Sequence, residues 1–515
     1  MMQPMTDISS EELATCSRLL EALAGDLTLL AKFPQAERIR LLMAAGQVIH
    51  PEKADVIKRR RAGRKENKET KRSLDRSLRA ATTIRSLRTD SVFVPPPRLL
   101  LSAEEEDIGA DLLHPRACYV CKGAYRKVHA FYDSMCPPCA RFNYDKRFQT
   151  ARLDGRVVLI TGARLKIGYQ AALILLRAGA QVIVTTRFPQ DSALRYIGEA
   201  DFPQWSDRLQ IHGLDLRHSP SVELFTGFID RNYDRLDFLI NNAAQTVRRP
   251  PGFYRHLLEI EERPYLDLPI EAQTLLRNHE AFKTLLRRDA GADTDDGTTW
   301  VSEWHQGKLL AAPGVTSSAQ LSQVPYACDD AAQDPSLFPV GQLDVDSQQV
   351  DLRRMNSWRM TLADVPTAEL LEVQLVNAIA PFILCSKLKP LMLRTPTTDK
   401  HIVNVSAMEG QFGRHTKTDK HPHTNMAKAA LNMMTLTSAR DFARDGIYMN
   451  AVDTGWITDE DPAEISVRKQ EEHDFQPPLD VVDGAARVVD PIFSGMLSGQ
   501  HTWGKFLKDY VPTAW

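Results

Sequence analysis

The sequence predicts an α/β protein built on a doubly wound parallel sheet, and two observations carry that expectation. From about residue 155 onward, short aliphatic and β-branched runs (VVLIT, QVIVTTR, LQIHGLD, LDFLINNAA, HIVNVSA and IYMNAV) alternate with longer amphipathic stretches. Strands interleaved with helices of about 10–15 residues form βαβ units, and βαβ units stack into a parallel sheet. The first run is also followed by a glycine-bearing turn, Thr161-Gly162-Ala163-Arg164-Leu165-Lys166-Ile167-Gly168, that opens a helix. Glycine at such a turn lets the backbone approach a pyrophosphate, which then rests on the helix N-terminus.

The chain is longer than this unit needs. Its 515 residues allow roughly three folding units, and its order is read as follows. Residues 9–31 form a helix, because Ser9 and Glu12 have capping-box spacing and Leu13, Cys16, Leu20, Leu23 and Leu27 share a face. A second amphipathic stretch covers residues 36–49, behind Pro34. Residues 58–88 then hold 13 Lys/Arg against Glu66, Glu69 and Asp75, a net charge of +10. The whole-chain charge is −2, so the remainder carries −2 − 10 = −12. Prolines at 95–97 and acidic residues at 104–107 mark a boundary. The expected division is a helical N-terminal region over 1–92, a cysteine module over 93–150 and an α/β domain over 151–515. Residues 247–355 break the βα pattern and read as an insertion. No internal repeat is visible.

Cys118-x2-Cys121 and Cys136-x2-Cys139 are separated by 14 residues. Two CxxC knuckles joined by a hairpin place four thiolates around one tetrahedral ion with no position left open, which is the pattern of a structural zinc site. His114 and His129 lie near enough in sequence to substitute for a ligand. With only seven cysteines, four of them in this cluster, no disulfide scaffold is expected. The N-terminus lacks a basic-then-apolar signal pattern, and no apolar run reads as a membrane span. The expectation is a cytoplasmic protein, with a nuclear location as the alternative.

The ordered landmarks of the α/β half resemble the short-chain dehydrogenase/reductase family, over roughly residues 154–245 and 370–510. The family's TGxxxGxG turn matches residues 161–168. Its acidic residue after the third strand, which contacts adenine, matches Asp215, followed by Leu216. Its NNAG motif matches Asn241-Asn242-Ala243-Ala244. The helix asparagine of its catalytic tetrad matches Asn377 in VNAIAPF, the serine matches Ser406 in VNVSA, and the lysine of YxxxK matches Lys428. The segment after its sixth strand matches residues 450–456, with Thr454 where proline is usual and Gly455 beside it. The resemblance implies a Rossmann-type domain. It also implies nucleotide contacts from Thr161, Gly162, Arg164, Lys166, Ile167, Gly168, Asp215, Leu216, Asn242, Ala243, Lys428, Thr454 and Gly455.

Two departures qualify that resemblance. The middle glycine of the phosphate turn is Lys166, whose side chain either turns away from the pyrophosphate or engages a phosphate. The YxxxK motif reads Thr424-Asn425-Met426-Ala427-Lys428. A threonine hydroxyl is a far weaker acid than the tyrosine phenol, whose pKa of about 10 is lowered by the neighbouring lysine. His421 and His423 lie just upstream, and an imidazole titrates near neutral pH, so either is a candidate relay. The competing reading makes both histidines helix-start or phosphate-binding groups. Cofactor choice is read from Thr185-Thr186-Arg187. No carboxylate follows the second strand until Asp191, and Arg187, helped by Arg164, suits the 2′-phosphate of NADP(H) rather than the 2′-hydroxyl of NAD.

Two functions follow as expectations. The first is an NADP(H)-dependent oxidoreductase acting on a carbonyl or alcohol. In it Ser406 polarises the oxygen, Lys428 holds the ribose, Asn377 holds a water, and Thr424 or His423 relays the proton. The second is a catalytically silent NADP(H)-binding sensor that contacts a protein or nucleic-acid partner through the zinc module and the basic segment. That segment also reads as a solvated helix face with local ion pairs, as a nuclear-localisation signal, or as an arm docking on the acidic remainder of the chain. A homo-oligomer is a further expectation. The insertion leaves the ligand-binding edge of the sheet, so a lid, a specificity element or an oligomer contact is expected there. Tyr326, Trp300, Trp304 and Trp358 are its candidate pocket or packing aromatics.

Overall fold

The computed structural model describes residues 9–50, 53–88, 93–95, 107–291, 312–325, 330, 335–344, 346–414 and 417–515. Trp300, Trp304 and Tyr326 lie outside the described residues. The chain divides into two compact units, Met1–Asp75 and Arg76–Trp515.

In the first unit, α1 (Ser10–Gly25) opens on the expected capping box. The Ser9 N–H donates to Glu12 at 2.8 Å, and the Glu12 N–H donates to Ser9 Oγ at 3.2 Å. The helix stops short of residue 31 because the Asp26 side chain accepts from the Thr28 N–H at 2.9 Å and starts a separate 3-10 turn, Leu27–Lys32. α2 (Gln35–Ile49) and α3 (Lys53–Ala80) follow. Residues 60–74 of α3 are exposed on every face. A local pair such as Lys65–Glu69, at 3.9 Å across one turn, is worth only about 0.3–0.5 kcal/mol and leaves the cations in solvent.

The basic segment does not behave as one arm. Beyond Arg76, three of its cations are structural parts of the second unit. Arg85 pairs with Asp133 at 2.5 Å and Asp474 at 3.2 Å, and Arg79 also pairs with Asp474. Arg88 donates to the Leu479 carbonyl at 2.8 Å, beyond α4 (Thr83–Ser86).

The six expected strands appear as β3 (Val157–Thr161), β4 (Gln181–Thr186), β5 (Leu209–Gly213), β6 (Phe238–Asn241), β7 (Lys400–Ser406) and β8 (Ile447–Asp453). They follow the antiparallel hairpin of β1 (Asp107–Ala117) and β2 (Ala124–His129), and β9 (Phe506–Lys508) and β10 (Val511–Thr513) extend the sheet. The sheet order is β10-β9-β8-β7-β6-β3-β4-β5, parallel throughout except for β10. The order reverses between β3 and β6, and a ligand crevice is expected outside the carboxyl ends of the strands at that point.

Both faces are covered, as a parallel sheet requires. Val158 and Ile160 pack into one core with α6 (Lys166–Arg177) and α16 (Val481–Ser498). Val157 and Leu159 pack into the other with α8 (Ser219–Asn232), α13 (Ala380–Leu393) and α14 (Pro422–Arg444). The remaining helices of this half are α7 (Pro189–Ile197), α12 (Thr367–Gln374) and α15 (Ala463–His473).

The insertion has two parts. α9 (Pro251–Glu261), α10 (Ile270–Gly291) and α11 (Pro313–Thr316) are helical. Leu275 and Leu276 of α10 join the first core, and Phe282 stacks on Phe228 at 4.3 Å in the second, so α10 covers the β5 edge of the sheet. Asp344 and residues 348–351 instead return to the cavity at the carboxyl edge. One expectation about membranes is corrected: the continuous helix Thr367–Leu393 has the length and apolar composition of a span. More than half of its apolar window, 56%, is buried inside the protein, so its apolarity serves the α/β core.

Candidate functional site

The phosphate turn is built by backbone close approach. Gly162 has φ +68°, and a Cβ there would stand 2.8 Å from Ala243 Cα. A Cβ on Gly168 would collide with the Asn242 side-chain amide and the Gly162 carbonyl. Asn242 ties the turn down, its amide donating to the Thr161 and Gly162 carbonyls at 2.9 and 3.0 Å. Thr161 Oγ1 accepts from the Asn242 and Ala243 N–H groups at 3.1 and 3.0 Å. Lys166, where the family pattern has glycine, takes a left-handed backbone with φ +55°, at a cost of about 1–2 kcal/mol. Its ammonium faces the insertion, 3.9 Å from Asp344 and 3.7 Å from Asp346.

A cavity of about 610 Å³ opens on this turn. It brings together Gly162, Arg164, Lys166, Ile167, Gly168 and Arg187 with Asp215, Leu216, Asn242 and Ala243. Parts of the insertion turn at 344–351 and of the loop at 457–463 complete its wall. Most cations on that wall are neutralised. Arg164 pairs with Asp191 at 2.7 Å, Arg217 with Asp215 at 2.6 Å and Glu372 at 2.8 Å, and Arg249 and Arg353 with Asp351. Burial works to raise the Asp191 and Asp215 carboxyls, but their arginines outweigh it and hold both below the usual range.

Arg187 differs. Its guanidinium donates to the neutral Tyr254 hydroxyl at 2.6 Å and lies 4.5 Å over the same ring. Nearby, the buried Glu261 carboxyl is pushed up to about 8 and accepts from the Gln190 and Asp191 N–H groups at the start of α7.

The residues aligned with the catalytic tetrad do not line this cavity. Ser406 Oγ donates to Asn432 Oδ1 at 2.5 Å, and Lys428 Nζ donates to the Val405 carbonyl at 2.8 Å. Burial lowers the Lys428 ammonium to about 8. Asn377 sits in a π turn, Leu375–Ile379, between α12 and α13. Its side chain accepts from the Gln245 N–H at 2.7 Å and donates to the Gln245 carbonyl at 2.8 Å. Thr424 Oγ1 lies 3.3 Å from the Thr246 carbonyl, to which it donates, and 3.4 Å from His423 Nε2. His423 is buried, and that burial, with the neighbouring His421, lowers it to about 4, so it is neutral near pH 7. His421 stacks flat on Trp358 at 3.9 Å, which makes Trp358 a packing partner of the histidine loop.

Sequence reasoning missed three participants. Asn432 lies four residues beyond Lys428, one helical turn further along α14 on the same side. Gln245 follows the NNAA motif but acts through its backbone, which leaves no side-chain signature. Glu369, buried and raised by that burial, accepts from the Arg248 N–H at 2.7 Å and stands 3.9 Å from His423. Thr454 and Gly455 also lie away from the cavity wall. Gly455 has φ +82°, and the next N–H, of Trp456, donates to the Tyr119 hydroxyl at 3.0 Å.

The four cysteine sulfurs lie within 4.8 Å of one another. The first knuckle occupies the turn of the β1–β2 hairpin, where Lys122 takes φ +63°. The second caps α5 (Pro137–Lys146), with Cys136 as its N-cap. The hairpin therefore carries one knuckle instead of lying between the two, as expected from the spacing. Cys121 and Cys136 are 3.7 Å apart, against about 3.8 Å for the edge of a tetrahedron with 2.3 Å zinc–sulfur bonds. His129 is engaged elsewhere, its Nδ1 accepting from the Phe131 N–H at 3.0 Å.

The parallel sheet, its switch point and the glycine-bearing turn define a Rossmann-type α/β protein. The family model described as short chain dehydrogenase matches residues 156–257, and the one described as enoyl-(acyl carrier protein) reductase matches residues 343–479. Over these residues the chain matches the short-chain dehydrogenase/reductase family, a family of oxidoreductases.

An uncharacterized protein of Acanthamoeba polyphaga mimivirus is 28% identical over 420 residues, 79% of this chain and 78% of that protein. A fatty acyl-CoA reductase of Acinetobacter baylyi is 34% identical over 97 residues, 19% of this chain and 32% of that protein. The match thus spans about a third of that reductase. A short chain dehydrogenase from Burkholderia cenocepacia, solved in complex with NADP, aligns with a TM-score of 0.40 at 16% identity, over 69% of this chain and 96% of that one.

Proposed function

We propose that the protein is an NADP(H)-binding oxidoreductase acting on a carbonyl or alcohol, with a structural zinc ion on Cys118, Cys121, Cys136 and Cys139. The observation that carries the cofactor is Arg187. Among the described cations of the cavity wall, it is the one whose hydrogen-bond partner is a neutral hydroxyl and not a carboxylate. A cation hydrogen-bonded to a hydroxyl and not to a carboxylate, at the end of the second strand of the domain, supports the 2′-phosphate of NADP(H) over the bare ribose of NAD. The turn at Gly162 and Gly168, where a Cβ would collide with Ala243 and Asn242, brings backbone close to the cavity and supports a pyrophosphate at the start of α6.

Bound NADPH supplies the hydride. This chain supplies the Ser406 hydroxyl for the substrate oxygen, the Lys428 ammonium for the ribose and Asn377 for a water. Thr424 and the adjacent neutral His423 form the proton route. For these groups to act, the backbone at Gln245 and Thr246, which now engages Asn377 and Thr424, gives way to substrate.

One observation favours a second reading, an NADP(H)-binding sensor without turnover. Ser406, Lys428, Asn377 and Thr424 are each paired within the protein and closed off from the cavity. In that reading the exposed basic stretch of α3 and the cysteine module contact a protein or nucleic-acid partner.

The test is NADPH binding, measured by its fluorescence and compared with NADH, followed by turnover across a carbonyl panel. Ser406→Ala and Lys428→Ala are the controls. NADPH binding with Ser406-dependent turnover supports the enzyme. Tight binding with no Ser406-dependent turnover favours the sensor, and absence of nucleotide binding removes both.

A further inference from the structure

We propose that the metal and nucleotide sites are thermodynamically coupled, with Tyr119 as the positioning residue, so that each ligand tightens the other. This rests on the zinc and NADP(H) assignments above and adds a linkage that neither one implies.

Both cysteine knuckles connect, through intervening residues, to Ile457 and Ile167 on the wall of the nucleotide cavity. In the first, Tyr119 lies between Cys118 and Cys121, held by its own N–H donating to the Ser134 carbonyl at 2.8 Å. Its hydroxyl accepts from the Trp456 N–H at 3.0 Å, and a Cβ on Gly455 would stand 3.1 Å from the hydroxyl oxygen. Gly455 and Trp456 follow β8 after Thr454, at the carboxyl edge. The next residue, Ile457, both packs into the apolar core of the cysteine module and lines the cavity.

The second knuckle caps α5, which leads to Arg147. Arg147 is buried and pairs with Asp480 at 2.6 Å and Asp483 at 2.9 Å. Tyr132, between the knuckles, donates to Asp483 at 2.5 Å. These two aspartates form the capping box of α16, and the adjacent Gly484 lies against Ile457 and Ile167. Ile167 is part of the phosphate turn and also packs against the cysteine module.

The cysteine module therefore holds both Ile167 and the 455–457 loop. Without the ion, four thiol groups within 4.8 Å have nothing to bond them together, and the knuckles lose the fixed geometry that places Tyr119 and α5. Any stabilisation that metal gives these loops appears as nucleotide affinity. Linkage requires nucleotide to return the same factor to metal binding, typically about 5–150-fold.

The experiment uses the full chain, purified with zinc. NADPH is titrated into protein that is zinc-loaded, chelator-stripped and reloaded. Zinc release to a chromophoric chelator is followed with and without saturating NADPH. Tyr119→Phe keeps the ring and removes the acceptor for the Trp456 N–H. Expected are a loss of NADPH affinity of about fivefold or more on stripping, its return on reloading, and zinc release slowed by NADPH. Tyr119→Phe is expected to keep one zinc per chain, to bind NADPH several-fold more weakly, and to lose most of the NADPH effect on zinc release. Loss of packing alone would not move that last readout selectively. Equal NADPH affinity in loaded wild type and loaded Tyr119→Phe, with zinc release indifferent to NADPH, overturns the proposal even if stripped protein unfolds. A chain that binds no zinc or no nucleotide overturns the functional reading and the coupling with it, and the zinc content and NADPH titration of wild type identify that case.

Discussion

The two sides of the sheet's carboxyl edge make an instructive pair. Around β3, β4 and β6 the strand ends open on a cavity, and Arg187 faces it with its guanidinium hydrogen-bonded to a tyrosine hydroxyl. Around β7 and α14, every group aligned with the family's chemistry is buried and satisfied: Ser406 by Asn432, Lys428 by Val405, Thr424 by Thr246. The same fold thus keeps a binding half open while its chemical half is closed by internal hydrogen bonds. The pairs differ in what they leave available to a ligand. Removing one partner from a closed pair strands a buried polar group, at about 1–3 kcal/mol, whereas Arg187 has a neutral partner to exchange.

The comparison can be broken most severely at Gly168. Gly168→Val places atoms where Asn242 and the Gly162 carbonyl already stand, so NADPH binding is expected to be lost by fluorescence titration. Overpacking of this kind costs about 1–3 kcal/mol of stability, which a urea melt would detect.

The closed half is sharpened by pH. His423 protonates near 4 when folded, against an ordinary 6.5. Between those values the unfolded chain holds a proton that the native one does not. Its contribution is therefore intact above pH 6.5 and is lost as pH falls toward 4, by at most about 3 kcal/mol. His212 and His401, also lowered to about 3 by burial, act in the same direction. The readout is consequently the difference between wild type and His423→Gln in urea melts at pH 7, 5 and 4, with the variant losing less stability on acidification.

Arg187→Ala tests the open half. NADPH affinity is expected to fall about 10–100-fold, as for loss of a charge-assisted hydrogen bond worth about 1.5–3 kcal/mol, while NADH affinity stays within about twofold. Equal losses for the two nucleotides would remove the 2′-phosphate assignment.

The smallest effect concerns the insertion turn. Asp344→Asn with Asp346→Asn takes two carboxylates away from Lys166 and is expected to raise NADPH affinity about two- to fivefold, measured in low salt.

Much of the α/β half was legible because parallel strands buried on both faces must be continuous apolar runs, and β3 through β8 are such runs. β9 and β10 were not, since three-residue strands carry no periodicity. The phosphate turn was legible at Gly162 and Gly168 because only glycine fits there. Lys166 illustrates the limit: its backbone is left-handed although the residue is not glycine, and only the fold shows its side chain turned toward the insertion. The +10 segment was one block in sequence and two things in space, an exposed stretch and a set of structural cations, the ion-paired Arg79 and Arg85 and the carbonyl-bound Arg88.

By itself, then, the sequence determined the strand pattern, the glycine turn, the cysteine cluster and the loss of the tyrosine, all of which are local or set by spacing. Tertiary structure alone decided which cations are neutralised, that the tetrad is closed, and that Tyr119 and Arg147 tie the cysteine module to the α/β half. Those outcomes depend on partners hundreds of residues away, such as Trp456 for Tyr119 and Asp480 for Arg147. A hydrogen bond or ion pair between such residues leaves no periodicity in the chain, because its strength depends on distance and burial that only folding sets.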